Sequence, residues 1–188
     1  KGVIGLGSVV VWDSDPHKEY EEVLLKSKFL TEPLEYFEIF ETMRYENGEI
    51  KFLSEHLKRM KTAADHFLFN FRYKKIVKEI RNSIADLEHL PIKKIRLLLN
   101  KWGKIKIEII DIQEPVGKVS VIISQSKIFS NDRFKHFKNT NRKLYDEEYA
   151  MHKSKGHYEV LYLNEKNELA EGSRSNIFLK KGEQWFTP

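Results

Sequence analysis

Three stretches of the chain bring together residue types that do chemistry when folded into a site. The first is the immediate neighbourhood of Lys138, Phe137-Lys138-Asn139-Thr140-Asn141-Arg142, where a lysine lies in a polar loop that enters a helix. A lysine amine becomes a nucleophile when desolvation or nearby positive charge lowers its pKa, and Lys135 and Arg142 are the candidates for that charge. The second is Leu169-Ala170-Glu171-Gly172-Ser173-Arg174-Ser175-Asn176, an acid followed by glycine, hydroxyls and an amide before an apolar strand. A carboxylate in that setting can hold a proton on a heteroaromatic nitrogen while hydroxyls and backbone order a bound ring. The third is Phe40-Glu41-Thr42-Met43-Arg44, then Gly48, then His56-Leu57-Lys58-Arg59, which places Arg59 in a helix that follows a hairpin. Its guanidinium can fork onto a phosphate. Taken singly, each has an ordinary reading: a solvated lysine, a surface turn whose Ser and Asn bond their own backbone, and a solvated arginine on an amphipathic helix.

The elements that position these residues follow from periodicity. Residues 3–12 read as a β-rich apolar run, Asp13-Ser14-Asp15-Pro16 as a turn and helix cap, and residues 17–30 as a charged peripheral helix. Residues 34–45 read as a strand, and Asn47-Gly48 supplies the positive φ angles of a tight hairpin into Ile50-Lys51-Phe52-Leu53. Ser54 is the expected cap of a helix carrying Leu57, Met60, Ala64 and Phe67, and a second helix over 73–87 carries Ile76, Val77, Ile80 and Ile84. Pro91 is the expected stop, followed by short strands over 92–99, 105–112 and 119–124. A helix over 142–155, a strand over 158–163, a turn at Asn164 to Asn167 and strands near 176–180 and 184–187 complete an α+β expectation.

Composition limits the alternatives. The 188 residues are 40% hydrophobic and 32% charged, which suits a folded globular chain. Cysteine is absent, so neither a disulfide framework nor a thiolate metal site is available. No apolar run approaches the roughly 20 residues that span a bilayer. A cytoplasmic setting with no membrane partner is the expectation, for a chain that begins at Lys1 and reads as excised from something longer. The net charge of +5 favours anionic partners. The basic residues are interleaved with acids rather than gathered in a stripe, which argues against nucleic acid.

Joint order adds what single motifs lack. Phe40-Glu41-Thr42 with Arg44, His56-Leu57 with Arg59, Lys138 with Thr140-Asn141-Arg142 and Tyr145-Asp146, Asn164, Glu171-Gly172-Ser173 with Ser175-Asn176, and Thr187-Pro188 together resemble the class IV pyridoxal-phosphate enzymes. That group includes branched-chain and D-amino-acid aminotransferases and 4-amino-4-deoxychorismate lyase. The resemblance implies a class IV aminotransferase-like fold, with an N-terminal lobe over 31–115 and a C-terminal lobe over 116–188 that is expected to be truncated. It implies pyridoxal 5'-phosphate as cofactor, carried as an internal aldimine on Lys138. Glu171 would pair with the pyridine nitrogen, Arg59 would help bind the phosphate, and Ser173, Ser175 and Asn176 would order the cofactor. Thr42 would line the substrate side. A homodimer with the cofactor between lobes is also implied.

Residues 1–30 are similar to something else, the last strand and helix of the chorismate-using synthases. The residues are Gly5-Leu6-Gly7-Ser8, Trp12-Asp13-Ser14-Asp15-Pro16, Glu19-Tyr20-Glu21-Glu22 and Lys26. In an intact synthase the acid matching Glu22 would help hold magnesium, and a glutaminase subunit would be an admissible partner. Here Glu22 and Lys26 are expected on a solvated helix face, with no metal bound. A synthase tail joined to a class IV domain resembles a fusion of successive steps from chorismate to 4-aminobenzoate. That favours the lyase, with aminodeoxychorismate as the small anionic substrate, over an aminotransferase for branched-chain or D-amino acids or a non-catalytic fragment.

Overall fold

The computed structural model describes residues 2–31, 35–87, 92–112 and 115–188, and it divides into a unit ending at Tyr36 and a larger unit, Phe37–Pro188. In the first unit residues 2–11 form no regular structure, which corrects the expectation of a strand over 3–12. Backbone N–H and C=O groups in a strand need a partner ladder, and within this unit none is offered. Asp15 does cap the following helix, α1 (Pro16–Thr31), its Oδ1 accepting from His17 N at 2.9 Å. Lys26 Nζ pairs with Glu22 at 2.6 Å and donates to the Gly7 carbonyl at 3.1 Å, so both charges are satisfied within this unit. None of the α1 side chains is buried.

The larger unit begins with β1 (Ile39–Glu46), turned by Asn47 and Gly48, both at positive φ, into β2 (Glu49–Ile50). The second strand is shorter than expected. Phe52 adopts φ 53°, which ends the strand and serves as N-cap of α2 (Leu53–Phe67); Ser54 lies inside that helix and its hydroxyl donates to Glu55, so it is not the cap. Next come α3 (Tyr73–Ile84) with a 3-10 turn at Ala85–Leu87, then β3 (Lys93–Leu99) and β4 (Ile105–Asp111). The expected stop at Pro91 and the start at Leu34 lie outside the described residues.

These strands make a sheet in the order β2-β1-β3-β4, every pairing antiparallel. Period-two alternation sorts its faces. Ile39, Met43 and Tyr45 of β1 and Ile95, Leu97 and Leu99 of β3 are buried in one apolar core with Leu57, Met60 and Ala64 of α2 and Ile76 and Ile80 of α3. The intervening residues, Phe40, Thr42, Lys94 and Arg96, therefore face the other way.

The second sheet is built from β5 (Val121–Ile128), β6 (Glu159–Asn164) and β7 (Leu169–Gly172), with α4 (Lys143–Lys153) between the first two. Its central strand β6 runs parallel to β5 and antiparallel to β7. The parallel pair needs the crossover that α4 supplies. Residues 169–172, assigned to no element from the sequence, form β7 because the Asn164–Asn167 hairpin folds them back on β6. The strand expected near 176–180 shrinks to β8 (Leu179–Lys181), paired with β9 (Gln184–Phe186). The apolar cluster under this sheet is small, centred on Ile128, Tyr145, Val160 and Tyr162.

Candidate functional site

A cavity of about 610 Å³ opens between the two sheets of the larger unit. The first sheet contributes its outward-alternating residues Phe40, Thr42, Lys94 and Arg96. The opposite wall comes from Lys138, Thr140 and Arg142 in the loop before α4 and from residues 170–177 at and after the end of β7. Lys138, Thr42, Glu171, Ser173, Ser175 and Asn176 are thus brought to one place.

The loop that carries Lys138 is held on both sides. Phe40 N donates to the Lys138 carbonyl at 3.0 Å, Thr140 N to the Glu38 carbonyl at 2.8 Å, and Glu38 N to the Thr140 hydroxyl at 2.9 Å. Asn139, buried, donates from its amide to the Phe134 and Phe137 carbonyls. Burial lowers the pKa of Lys138 below that of an ordinary lysine, and the charges of Arg59 and Arg142 act in the same sense while Glu41 opposes them. The expected charge partner Arg142 is therefore present, but the second is Arg59 and not Lys135. The Lys135 ammonium instead lies 4.0 Å from the centroid of the Tyr145 ring.

Glu171 ends on the second sheet, opposite Tyr162 in the β6–β7 register. Its Oε1 accepts from the Tyr145 hydroxyl at 2.5 Å. Burial, followed by this carboxylate, raises the Tyr145 pKa far above that of a free phenol, so the residue remains a donor to Glu171. The turn after Glu171 is tight: a Cβ added at Gly172 would sit 2.8 Å from the Ser175 carbonyl oxygen. Ser173 is fully buried and its hydroxyl is already donated to Glu159, while its carbonyl accepts from Arg142.

Arg59 falls elsewhere. It is not among the cavity-lining residues, because α2 packs on the core face of the first sheet, where Glu41 also points. Its Nε and Nη2 fork onto the Glu41 carboxylate at 2.7 and 2.5 Å, and His56 Nδ1 lies 2.8 Å from the same group. Burial pushes the Glu41 pKa up, but the Arg59 and His56 hydrogen bonds and the neighbouring positive charges outweigh it, so the carboxyl sits below its ordinary value. Sequence reasoning missed this buried acid as a separate group, although it is part of the Phe40-Glu41-Thr42 motif. It also missed Lys94 and Arg96, whose alternation with Ile95 and Leu97 was the available signal.

A partly buried lysine of lowered pKa and an acid beside a tight glycine turn thus line one cavity between the two sheets. Residues 38–188 match the family model described as amino-transferase class IV, and the chain belongs to that family of pyridoxal-phosphate-dependent enzymes. No curated protein sequence matches the chain. Among solved structures it is similar to a putative amino-acid aminotransferase from Mesorhizobium loti, at 25% identity and TM-score 0.66, over 76% of this chain and 69% of that one. A putative 4-amino-4-deoxychorismate lyase from Legionella pneumophila gives TM-score 0.71 at 16% identity, over 80% and 61% of the two chains. The branched-chain aminotransferase of Thermoproteus uzoniensis gives 0.69 at 18%, over 86% and 61%. The α+β class IV fold expected from the sequence is borne out. The chain spans 61% of the length of each of the latter two. Among the described residues no helix is long and apolar enough to cross a membrane, and no group of three or more His, Asp or Glu is placed to hold a metal.

Proposed function

We propose that this chain carries pyridoxal 5'-phosphate on Lys138 and that the whole protein is a 4-amino-4-deoxychorismate lyase, yielding 4-aminobenzoate and pyruvate. The observation that carries the cofactor reading is that Lys138 and Glu171, far apart in sequence, line a single cavity. The cavity lies in the volume range of small-ligand sites, roughly 300–1,000 Å³. The residues fit the group: an amine lowered in pKa by burial, a carboxylate braced by Tyr145, and a glycine turn with no room for a side chain.

Bound there, pyridoxal phosphate supplies an electron sink at the carbon bearing the substrate nitrogen. Lys138, whose amine is lowered in pKa, would be the base that takes the proton from that carbon. Glu171 holds the proton at the ring nitrogen, with the Tyr145 hydroxyl fixing its orientation. Thr42 lines the opposite side, where the substrate lies, and Lys94, Arg96, Arg142 and Arg174 give that space a positive lining suited to an anionic substrate. Arg59 stands one layer behind, its charge bearing on Lys138. With that ring proton removed, the ring C–O bond would break with its electron pair leaving on the enolpyruvyl oxygen, the ring would become aromatic, and the released enolpyruvate, taking up a proton, would be pyruvate.

The lyase is favoured over amino transfer by the likeness of residues 1–30 to the end of a chorismate-using synthase. A second reading, an amino-acid aminotransferase, draws on the 25% identity to the Mesorhizobium protein. Incubating the chain with pyridoxal phosphate, reducing with borohydride and mapping the labelled peptide tests the cofactor. We expect a single adduct on Lys138; labelling scattered over other lysines overturns the reading. In the whole protein, pyruvate released from aminodeoxychorismate without an added keto acid supports the lyase, and amino transfer to a keto acid supports the alternative.

A further inference from the structure

The sheet that holds Glu171 also buries a second carboxylate for which the proposed reaction has no use. Glu159, the first residue of β6, is 4% exposed. Its Oε1 accepts from its neighbour Val160 N at 2.9 Å and from the Ser173 hydroxyl, and Arg174 N approaches its two oxygens at 3.3 and 3.2 Å. Two of these partners belong to the turn that begins directly after Glu171.

We propose that Glu159 is a positioning residue: its carboxylate holds the turn Gly172-Ser173-Arg174 and thereby fixes the end of β7 from which Glu171 faces the cavity. The inference rests on the reading of Glu171 as the acid that meets the cofactor ring. Three features carry it. The β6–β7 pairing ends at Leu161 opposite Gly172, with one further ladder bond from Ser173 N to the Val160 carbonyl at 2.8 Å. Beyond that bond the sheet no longer supports the chain, and Glu159 takes over as the acceptor for the next donors in line. Secondly, a Cβ at Gly172 would stand 3.4 Å from Glu159 Cδ, so the turn and the carboxylate are in contact along their length. Thirdly, Arg142 pins the same Ser173 from the other side by donating to its carbonyl. With Glu159 removed, a buried hydroxyl and a backbone N–H lose their acceptor together, and the turn is left to Arg142 alone.

Lys138 is attached differently. Its loop is bonded to Glu38 and Phe40 at the edge of the first sheet, so loosening the Glu159 clamp leaves the amine in place. That separation provides the test. In the cofactor-free chain, Glu159→Ala is expected to speed hydrogen exchange at the Arg174 amide by about tenfold or more, since that donor then opens without unfolding the sheet. The affinity for pyridoxal phosphate is expected to fall by about tenfold or more, the scale on which partners behind a ligand-holding group act. At saturating cofactor the borohydride adduct on Lys138 should reach the wild-type yield, whereas a general loss of structure would lower both readings. Glu159→Gln keeps an acceptor toward Val160 and Ser173 and should restore most of the affinity. If Glu159→Ala does not fold, Glu159→Asp draws the carboxylate back by one methylene and should give the same pattern in weaker form. Exchange and affinity both at wild-type values in a folded Glu159→Ala or Glu159→Asp variant overturn the proposal. Should the wild-type chain take up no pyridoxal phosphate, the cofactor reading fails by itself, and the exchange at Arg174 alone decides whether Glu159 holds the turn.

Discussion

The two sheets of the larger unit differ in how they are held. The β2-β1-β3-β4 sheet rests on a continuous apolar core formed with α2 and α3, with Ile95, Leu97 and Leu99 inward and Lys94 and Arg96 outward. The β5-β6-β7 sheet has only a small apolar cluster and is tied instead by polar groups, Tyr145 to Glu171, Ser173 and Arg174 to Glu159, and Arg142 to Ser173. Apolar packing is tolerant of small shifts, whereas hydrogen bonds are directional. The first sheet thus gives rigidity at large, and the second gives placement of particular atoms.

That contrast predicts opposite outcomes for mutations in the two regions. The largest difference is expected at Lys138. Lys138→Ala should abolish the borohydride-trapped adduct entirely while leaving unfolding free energy at pH 7 equal or raised, by about 1 kcal/mol or less. The sign follows from burial. The folded-state pKa of Lys138 is below its unfolded value, so the native state binds fewer protons between the two. Its contribution to stability is therefore present above the unfolded pKa and lost as pH falls through the folded one. The advantage of the variant should shrink as pH rises toward about 10, where the unfolded lysine also loses its proton. Melting curves across pH check this, and a strongly destabilised variant would place Lys138 in the scaffold rather than the site.

In the first sheet, Leu97→Ala removes a fully buried side chain and should cost roughly 2–5 kcal/mol in denaturant unfolding. At low denaturant, where the variant remains folded, the adduct on Lys138 should persist. Loss of the adduct from a folded Leu97→Ala chain would mean that the core of the first sheet and the Lys138 loop are coupled.

The mildest of the three is Arg59→Ala, which leaves the Glu41 carboxylate buried with His56 as its remaining partner. Roughly 1–2 kcal/mol is expected at pH 7, less than for a fully buried pair because the Arg59 side chain is half exposed and solvent screens it. Glu41 has a lowered pKa in the folded chain, so its stabilisation is full above the unfolded value near 4.3 and is lost as pH falls through the folded one. Without Arg59 the burial of Glu41 favours its neutral form. The gap between wild type and variant should accordingly narrow as pH is lowered from 7 toward 4 and below; a constant gap would assign the cost to lost packing by the arginine stem.

Legibility of the fold tracked the same contrast. The apolar periodicity of 57–67 and 76–84 placed α2 and α3, and Asn47-Gly48 placed the hairpin, because local sequence decides those elements. The failures lie where tertiary context decides. Residues 3–12 have strand composition but no ladder within their unit, Phe52 takes a left-handed conformation that its type does not announce, and residues 169–172 join a sheet only because β6 is there to receive them. Lys138, Thr42 and Glu171, singled out by their motifs, line one cavity. The Glu41 clasp on Arg59 and the Glu159 hold on the turn were not singled out, since both depend on residues that meet only across elements.

The loop around Lys138 has one more consequence. Through the Ile39 to Asn139 bridge and the bonds of Glu38 and Phe40, the lysine is fastened to the first sheet, although it lies in sequence among the elements of the second. Glu171 is fastened to β6. Amine and acid therefore ride on opposite sides of a seam, and the gap between them works as a gauge of the angle at which the sheets meet. Rocking of one sheet against the other would be read out first as a mismatch between those two side chains and whatever ring lies between them.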